Sequence, residues 1–486
     1  MSETADAKYD AVVIGSGLGG LTAAALLAKR GKKVLLIEQS VMAGGCAVTF
    51  KRKQYKMEAS LHEMDGFGLH DYKATILKEL NLFDKVKFLK VPEFYRFIAK
   101  NNEFIFPNDL EEAIRLLIDK FPDEKDGILK FFKIVLAIRK EIHRIMPIYG
   151  WLQTLLMPFM PLIAPRVVFY TYTKQTVGHL LDSLIKNEDL KLILTANIAY
   201  YHDDPYHTSL LYFSAGQGGY YSLGGYFVQG GSSNLSDCMV NIIEKAGGLA
   251  LLRTTVSKII VENGAAIGVE YFHNKKRAEI KKVFAPNIIA NGAIDNIAAM
   301  LPDVEKSKIK KLTNNLKLST SFFNVYIGFK TALKELGSKH YSTIIDSADQ
   351  KTMADITSEE ESNPYDKCRF TFIDYSQIDS KLAPDGMSVG TITIADHISR
   401  WDSLTDEDYK RKKEEVAQIL LKRLERVIPG ICSAIDYYEV ATPKTIQRYT
   451  MNPQGVVYGF AQIPEQIGLF RIKNRSPVKN LYFASS

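Results

Sequence analysis

The sequence predicts an α/β protein: a parallel-sheet unit at the N-terminus, interleaved with a second part of mixed sheet and helices. Three observations predict it. Ala11-Val12-Val13-Ile14 has the length and composition of a buried parallel strand, and a glycine turn, a helix from Leu21 to Arg30 and a second strand from Lys33 to Ile37 follow it. A second apolar run, Pro286-Asn287-Ile288-Ile289-Ala290, ends in Asn291-Gly292 beside a helix start and suits a strand returning to the first sheet. From Met300 to about Ala441 strand-like runs alternate with helix, as expected of a separate sheet.

The first unit carries chemistry in its spacing. Gly15-Ser16-Gly17-Leu18-Gly19-Gly20 fits G-x-G-x-x-G. Gly15 permits the tight turn, Gly17 lets backbone approach a pyrophosphate, and Gly20 lets helix and strand pack closely. The pyrophosphate then lies at the positive end of the helix dipole. Glu38 ends the second strand, close to the ~20 residues after the glycines expected of an acid that binds ribose hydroxyls. Strand, glycine turn, helix, strand and acid in one unit predict a dinucleotide site. The competing reading is a βαβ unit whose glycines only serve packing. After Glu38 and Gln39, Gly44-Gly45-Cys46 brings backbone close to the cofactor again. Enzymes that bind FAD in the glutathione-reductase-like fold often carry Arg or Lys where Cys46 stands.

At 486 residues the chain suggests two to three domains. Its net charge of +7 is small for this length. Runs such as Lys410-Arg411-Lys412-Lys413 read as solvated faces, so no nucleic-acid partner is expected. Cys46, Cys238, Cys368 and Cys432 lie far apart without zinc-like spacing. No metal is therefore expected, and free thiols fit a reducing compartment. The short polar stretch Met1 to Lys8 has no signal-peptide core, so a cytoplasmic chain, or one held peripherally or monotopically on a membrane, is expected.

Further elements follow in order. Lys53 to Glu63 reads as a strand pair leading into His62. Ala74 to Lys140 reads as helical, with Asn108 as N-cap before Leu110. Ile145 to Pro165 holds no charged residue. Its length suits a bilayer span, but Pro147, Pro158, Pro161 and Pro165 break a continuous helix. A membrane-dipping element, a buried part of a helical cap and a true span remain open. Tyr200 to Ser233 is rich in aromatics and glycines, and its His202-Asp203-Asp204 reads either as a metal or acid/base cluster or as a polar turn before Pro205. A helix from Leu235 to Lys245 leads to strands at Leu249 to Thr254 and Val256 to Glu262, and Asn263-Gly264 turns a hairpin into Ala265 to Phe272. Strands are expected at Arg277 to Phe284, Ser321 to Phe329, Arg369 to Ile373 and Met387 to Ala395. Thr405 to Ile428 reads as an amphipathic helix with Thr405 and Asp408 as a capping box. A last strand is expected at Asn480 to Ala484.

The pieces VVIGSGLGGLTAAALLAKRGKKVLLIEQ, GGCAVTF, EASLH, VQGGSSNL, IIANGA, ATPKTIQRYT, GVVYGF and NLYFAS together resemble the flavoprotein family of phytoene desaturases, carotenoid isomerases and retinol saturases. Gly44-Gly45-Cys46 followed by Thr49-Phe50 is nearest the retinol saturase side. The resemblance spans nearly the whole chain. It implies a glutathione-reductase-like FAD-binding Rossmann domain with an interleaved mixed-sheet and helical substrate domain. It assigns 9–72, 220–300 and 441–486 to the FAD domain, 73–219 to a substrate or membrane-associating helical region and 301–440 to the substrate sheet.

The implied activity is FAD-dependent saturation, isomerisation or desaturation of a hydrophobic polyene or isoprenoid lipid drawn from a membrane surface. NAD(P)H is a possible external reductant, since no second fingerprint is present. FAD contacts are expected from Gly15, Ser16, Gly17, Leu18, Gly19, Gly20, Glu38, Gln39, Gly44, Gly45, Cys46, Val256, Asn291 and Gly292. His62 is the candidate catalytic group, with Glu58 and Tyr458 behind it; the competing reading is a structural histidine satisfied by backbone. Tyr200, Tyr220, Tyr221 and Tyr458 are candidates for the substrate wall. Two departures stand out: Ser60 occupies a place where Gly is common, and the family's Gly-rich turn after N-L-Y is not in the sequence, so a truncated chain is expected. The competing functions are a non-catalytic prenyl-lipid binder of the GDP-dissociation-inhibitor branch and an amine-oxidase-like flavoenzyme.

Overall fold

A computed structural model describes residues 8–68, 71–99, 102–145, 172–202, 204–347, 350–356 and 364–485. A five-stranded parallel sheet is assembled from distant parts of the chain, in the order Leu249–Leu251, Val34–Ile37, Ala11–Ile14, Ile288–Ala290, Leu481–Phe483. Side chains alternate across it as strand geometry requires. Val13, Leu36 and Val34 face a layer that includes the helices Leu18–Lys29 and Ser233–Lys245. Val12, Ile14, Leu35 and Ile37 face a three-stranded antiparallel layer formed by Thr254–Glu262, Ala265–His273 and Lys281–Phe284. Both faces are covered, so the strands are continuous apolar runs. Asn263 (φ 51°) and Gly264 (φ 73°) form the tight hairpin turn that the sequence predicts.

The second body is a seven-stranded mixed sheet, in the order Ile435–Ala441, Ser321–Phe329, Ser388–Asp396, Phe370–Asp374, Ser342–Ile345, Glu93–Ala99, Asn102–Pro107. One face packs Phe323, Val325, Ile392, Ile394 and Phe372 against Val416, Leu420 and Leu424 of the helix Asp406–Glu425. Thr405 caps that helix by accepting from the Asp408 amide at 3.2 Å. Asp408 completes only half of the expected box, because its carboxylate takes the Thr405 hydroxyl (2.8 Å) rather than the Thr405 amide.

Two readings need correction. Ala74 to Lys140 is not helical throughout: Phe88–Lys90, Glu93–Ala99 and Asn102–Pro107 are strands, and Glu93–Ala99 pairs in parallel with Ser342–Ile345. Tertiary pairing overrides the local apolar spacing here. The N-cap of the helix Leu110–Lys120 is Asp109, which accepts from the Glu112 amide at 2.8 Å; Asn108 instead bonds the Val91 carbonyl. Of the uncharged stretch, only Ile145, the end of the helix Lys125–Ile145, is described. Residues 146–165 lie outside the described residues, as does Asp203. Among the described residues no helix is long and apolar enough to cross a membrane.

Trp401 anchors the core on one face of the seven-stranded sheet. It is fully buried, stacks on Phe323 with ring centroids 5.6 Å apart, and donates from Nε1 to Asp396 at 2.7 Å. Trp401→Ala leaves a cavity and a buried carboxylate short of a donor. It should cost about 3–5 kcal/mol of stability by urea denaturation, and a loss under 1 kcal/mol would contradict this account.

Candidate functional site

The strand Ala11–Ile14 ends at Gly15 (φ 89°), whose amide donates to the Ile37 carbonyl at 2.8 Å. The turn delivers the helix Leu18–Lys29 with Gly17 as its N-cap, no capping side chain and no acid in the first turn. Its first amides therefore face outward as a ready anion site. Side chains are excluded around them. A Cβ on Gly17 would lie 2.6 Å from Asn291 Nδ2, and one on Gly20 would strike the Gly15 carbonyl. Gly44 docks on this turn by donating its amide to the Ser16 carbonyl at 2.9 Å. Asn291 is fixed by its amide, which donates to the Ile14 carbonyl at 2.7 Å.

Glu38 is buried at the end of the second strand. Its Oε2 accepts from the Ser16 amide and hydroxyl, both at 2.7 Å, and its Oε1 from the Ser40 amide at 2.7 Å. A carboxylate offers about four acceptor sites, so Oε1 retains one for a ribose hydroxyl. Helix amides for a pyrophosphate, glycines at the close approaches and an acid at the ribose position all fit FAD. Ser16 contributes by orienting Glu38. Gln39 is held through its carbonyl, which accepts from Asn274 at 2.8 Å. The Val256 side chain is buried in the core between the two sheets, beside a register shift in its strand. Leu18 and Gly19 open the helix, with Gly19 set against the Ala484 carbonyl, and Gly292 follows Asn291. Gly45 (φ 65°) lies where an added Cβ would come 2.9 Å from Gly17 Cα.

From this loop the chain runs to a buried polar knot. Cys46 gives its carbonyl to the Ser60 hydroxyl at 2.8 Å, so Ser60 ties two loops together. Burial pushes the Cys46 thiol up, which keeps it protonated. Glu58 is fully buried between Thr49, Leu61 and Ser232, and burial raises its carboxyl to about 7 against the hydrogen bonds that favour its charged form. His62 is buried, with Nδ1 at 2.6 Å from the Tyr375 hydroxyl and Nε2 at 3.4 Å from Thr393 Oγ1. Burial lowers its imidazole to about 4, so it is neutral at pH 7.

Beyond His62 lies a cavity of about 590 Å³. Its inner wall holds Ile198, Tyr200, Phe322, Thr371 and Thr393; its outer rim holds Asp355 and Lys367. Tyr200 meets His62 edge-on at 6.3 Å. Tyr458 packs edge-on against Phe322 at 5.9 Å, and its hydroxyl is raised by burial and by the neighbouring Tyr200, Tyr212 and Cys46. Cys46, Tyr458, Tyr200 and His62 therefore converge between the Gly-Gly loop and the cavity.

Tyr220 and Tyr221 do not line the cavity. Tyr220 stacks on Phe94 at 5.1 Å and donates to the Glu63 carbonyl; Tyr221 stacks on Phe106 at 5.4 Å within the helical core. Adjacent helical residues point about 100° apart, and both directions here lead into packed protein. Asp204 serves a turn, accepting from the Tyr206 amide at 2.7 Å and meeting His207 at 2.8 Å. Among the described residues no group of His, Cys, Asp and Glu is placed to hold a metal. Sequence reasoning missed Tyr375, Thr371 and Thr393. A signal existed in Thr391-Ile392-Thr393-Ile394, whose alternation places threonines on the face opposite the apolar core.

Two measurements check this site. Glu38→Ala removes the ribose acceptor and should weaken FAD retention about tenfold or more, read as flavin absorbance after dialysis; unchanged retention would displace the ribose from this site. In the unfolded chain His62 protonates near pH 6.5, but in the fold only near about 4. The neutral ring's contribution is present above pH 6.5 and is lost as pH falls toward 4. His62→Gln should therefore remove about 3 kcal/mol of acid destabilisation, seen by comparing urea midpoints of variant and parent at pH 7 and pH 4. Equal acid sensitivity in both would contradict it.

Comparison with known proteins agrees with this geometry. The chain is 27% identical to an all-trans-retinol 13,14-reductase of Danio rerio, over 97% of this chain and 81% of that protein. It is 29% identical to a chloroplastic prolycopene isomerase of Daucus carota, over 93% of this chain and 72% of that protein. Its fold resembles cyclohexylamine oxidase from Brevibacterium oxydans, with a TM-score of 0.59 at 15% identity, covering 99% and 93% of the two chains. The family described as flavin containing amine oxidoreductase matches residues 18–486. The chain thus belongs to the flavin containing amine oxidoreductase family, with FAD as its cofactor.

Proposed function

We propose that the chain is an FAD-dependent oxidoreductase acting on carbon–carbon double bonds of a hydrophobic polyene or isoprenoid lipid. The observation that carries this reading is the cavity whose inner wall holds Phe322, Tyr200 and Thr393, the last two of which meet a neutral His62 behind the wall. The one carboxylate in its described wall, Asp355, sits at the exposed rim and already accepts from the Lys351 and Thr352 amides at 2.9 and 2.8 Å. An alkylammonium substrate would find no free anion at the inner end. Two relatives named for retinol reduction and prolycopene isomerisation support a polyene.

Bound FAD supplies hydride exchange with a substrate carbon. The chain's residues do the rest. Ile198, Phe322 and Phe370 exclude water and orient an extended apolar molecule. Burial keeps the Tyr375 hydroxyl protonated, and in one tautomer of the ring it donates to His62 Nδ1. The neutral ring then carries its proton on Nε2, facing Thr393 in the cavity wall. That proton is the one placed to accompany a hydride if the reaction is a saturation. A membrane surface as lipid source and NAD(P)H as external reductant belong to the same proposal.

The test is anaerobic incubation of the reduced holoprotein with retinoids, carotenoids and unsaturated fatty acids, with products read by mass. Gain of two hydrogens identifies a saturase. Unchanged mass with altered retention identifies an isomerase. Loss of two hydrogens, with oxidised protein, identifies a desaturase. Turnover of amines with no lipid converted would overturn the reading.

A further inference from the structure

The acid at the end of the second strand is clasped by a distant part of the chain. The Glu38 amide donates to the Leu251 carbonyl at 2.8 Å, and the Glu38 carbonyl accepts from the Thr254 amide at 2.9 Å. Between those two donors and acceptors stands Arg253, whose amide donates to the Ser40 carbonyl at 2.8 Å and whose carbonyl accepts from the Asn274 amide at 2.8 Å. Arg253 adopts φ 53°, a left-handed conformation that is costly for a residue with a Cβ and persists only where its surroundings impose it. The hydrogen bonds on its two sides impose it here. Asn274 closes the clasp with its side chain. Its Nδ2 donates to the Gln39 carbonyl at 2.8 Å, and its Oδ1 accepts from the Thr255 hydroxyl at 2.7 Å.

We infer that Asn274 is a positioning residue for FAD, acting on the Glu38 carboxylate through one peptide unit. The inference rests on Glu38 as the ribose acceptor. The carbonyl that Asn274 grips belongs to the Gln39–Ser40 peptide, and the amide of that same peptide donates to Glu38 Oε1 at 2.7 Å. A peptide unit is planar, so fixing its carbonyl fixes the direction of its N–H. A hydrogen bond accepted at the carbonyl also polarises the N–H and strengthens the bond it gives. Thr255 sets which way Asn274 faces: with Oδ1 taken by the hydroxyl, Nδ2 is the end turned to Gln39. Without Asn274 the peptide is free to tilt, and Glu38 Oε1 loses the donor that aims its remaining lone pair at a ribose hydroxyl.

The test follows FAD release from the full FAD-loaded chain on dilution, read as the rise of free flavin fluorescence. Asn274→Ala and Thr255→Val are each placed in the parent and in a Glu38→Ala chain. In the parent, Asn274→Ala should speed release about fivefold or more, and Thr255→Val should act in the same direction by less. In the Glu38→Ala chain neither should add more than about twofold, because the group they aim is gone. Should Asn274→Ala fail to fold, Thr255→Val, which keeps the side-chain shape and loses only the hydroxyl, carries the same comparison. Unchanged release in the parent background overturns the proposal. So does an equal acceleration with and without Glu38, which is the mark of a fold loosened in general. If Glu38→Ala alone leaves release unchanged, the ribose placement itself falls, and this proposal with it.

Discussion

The buried carboxyl of Glu58 is the interaction on which the site depends. It accepts from the Ser232 amide and hydroxyl, the Thr49 hydroxyl and the Leu61 amide. These donors come from the hairpin after the Gly-Gly loop, from the approach to His62 and from the entrance to the helix Ser233–Lys245. Desolvation works against the charged form, and four hydrogen bonds work for it. Such a group is tolerable only when every lone pair is met. Meeting them fixes the entrance of the helix Ser233–Lys245 against the hairpin after the Gly-Gly loop, and fixes the backbone that carries His62.

His62 is held in turn from several sides. The Tyr341 hydroxyl donates to its carbonyl, Tyr375 reaches Nδ1, and Thr393 lies across from Nε2. Asn324, Thr393 and Thr371 sit side by side on three neighbouring strands. The seven-stranded sheet thus has an apolar face against the helix Asp406–Glu425 and a polar row on the other, of which Thr371 and Thr393 line the cavity. One sheet supplies both a core and a cavity wall because its strands alternate.

The strand, glycine turn, helix and second strand closing on Glu38 were legible because such a turn needs glycine at fixed offsets, a requirement set by backbone and visible in any one sequence. The return of Ile288–Ala290 and Leu481–Phe483 to the first sheet was legible for a similar reason: short apolar runs need cover on both faces. The strand Glu93–Ala99 was hidden, since its partner Ser342–Ile345 lies far along the chain and nothing local announces the pairing. Tyr200 and Tyr221 look alike in composition, yet one ends a turn on the cavity and the other fills the helical core. Which aromatic is wall and which is filling depends on elements that meet only in the fold. Tyr375 and Thr393 escaped for the same reason.

The sheet beneath the glycine turn draws its five strands from widely separated parts of the chain. A ribosome releases those pieces in order, so Ala11–Ile14 emerges long before Leu481–Phe483 can flank Ile288–Ala290. The glycine turn exists early, but the sheet beneath it closes only after Leu481–Phe483 has emerged. Distant pairings of this kind form slowly and leave strand edges open meanwhile. The glycine turn thus rests on a sheet completed long after the turn itself is made, and the nascent chain must be kept from sticking until Leu481–Phe483 pairs with Ile288–Ala290.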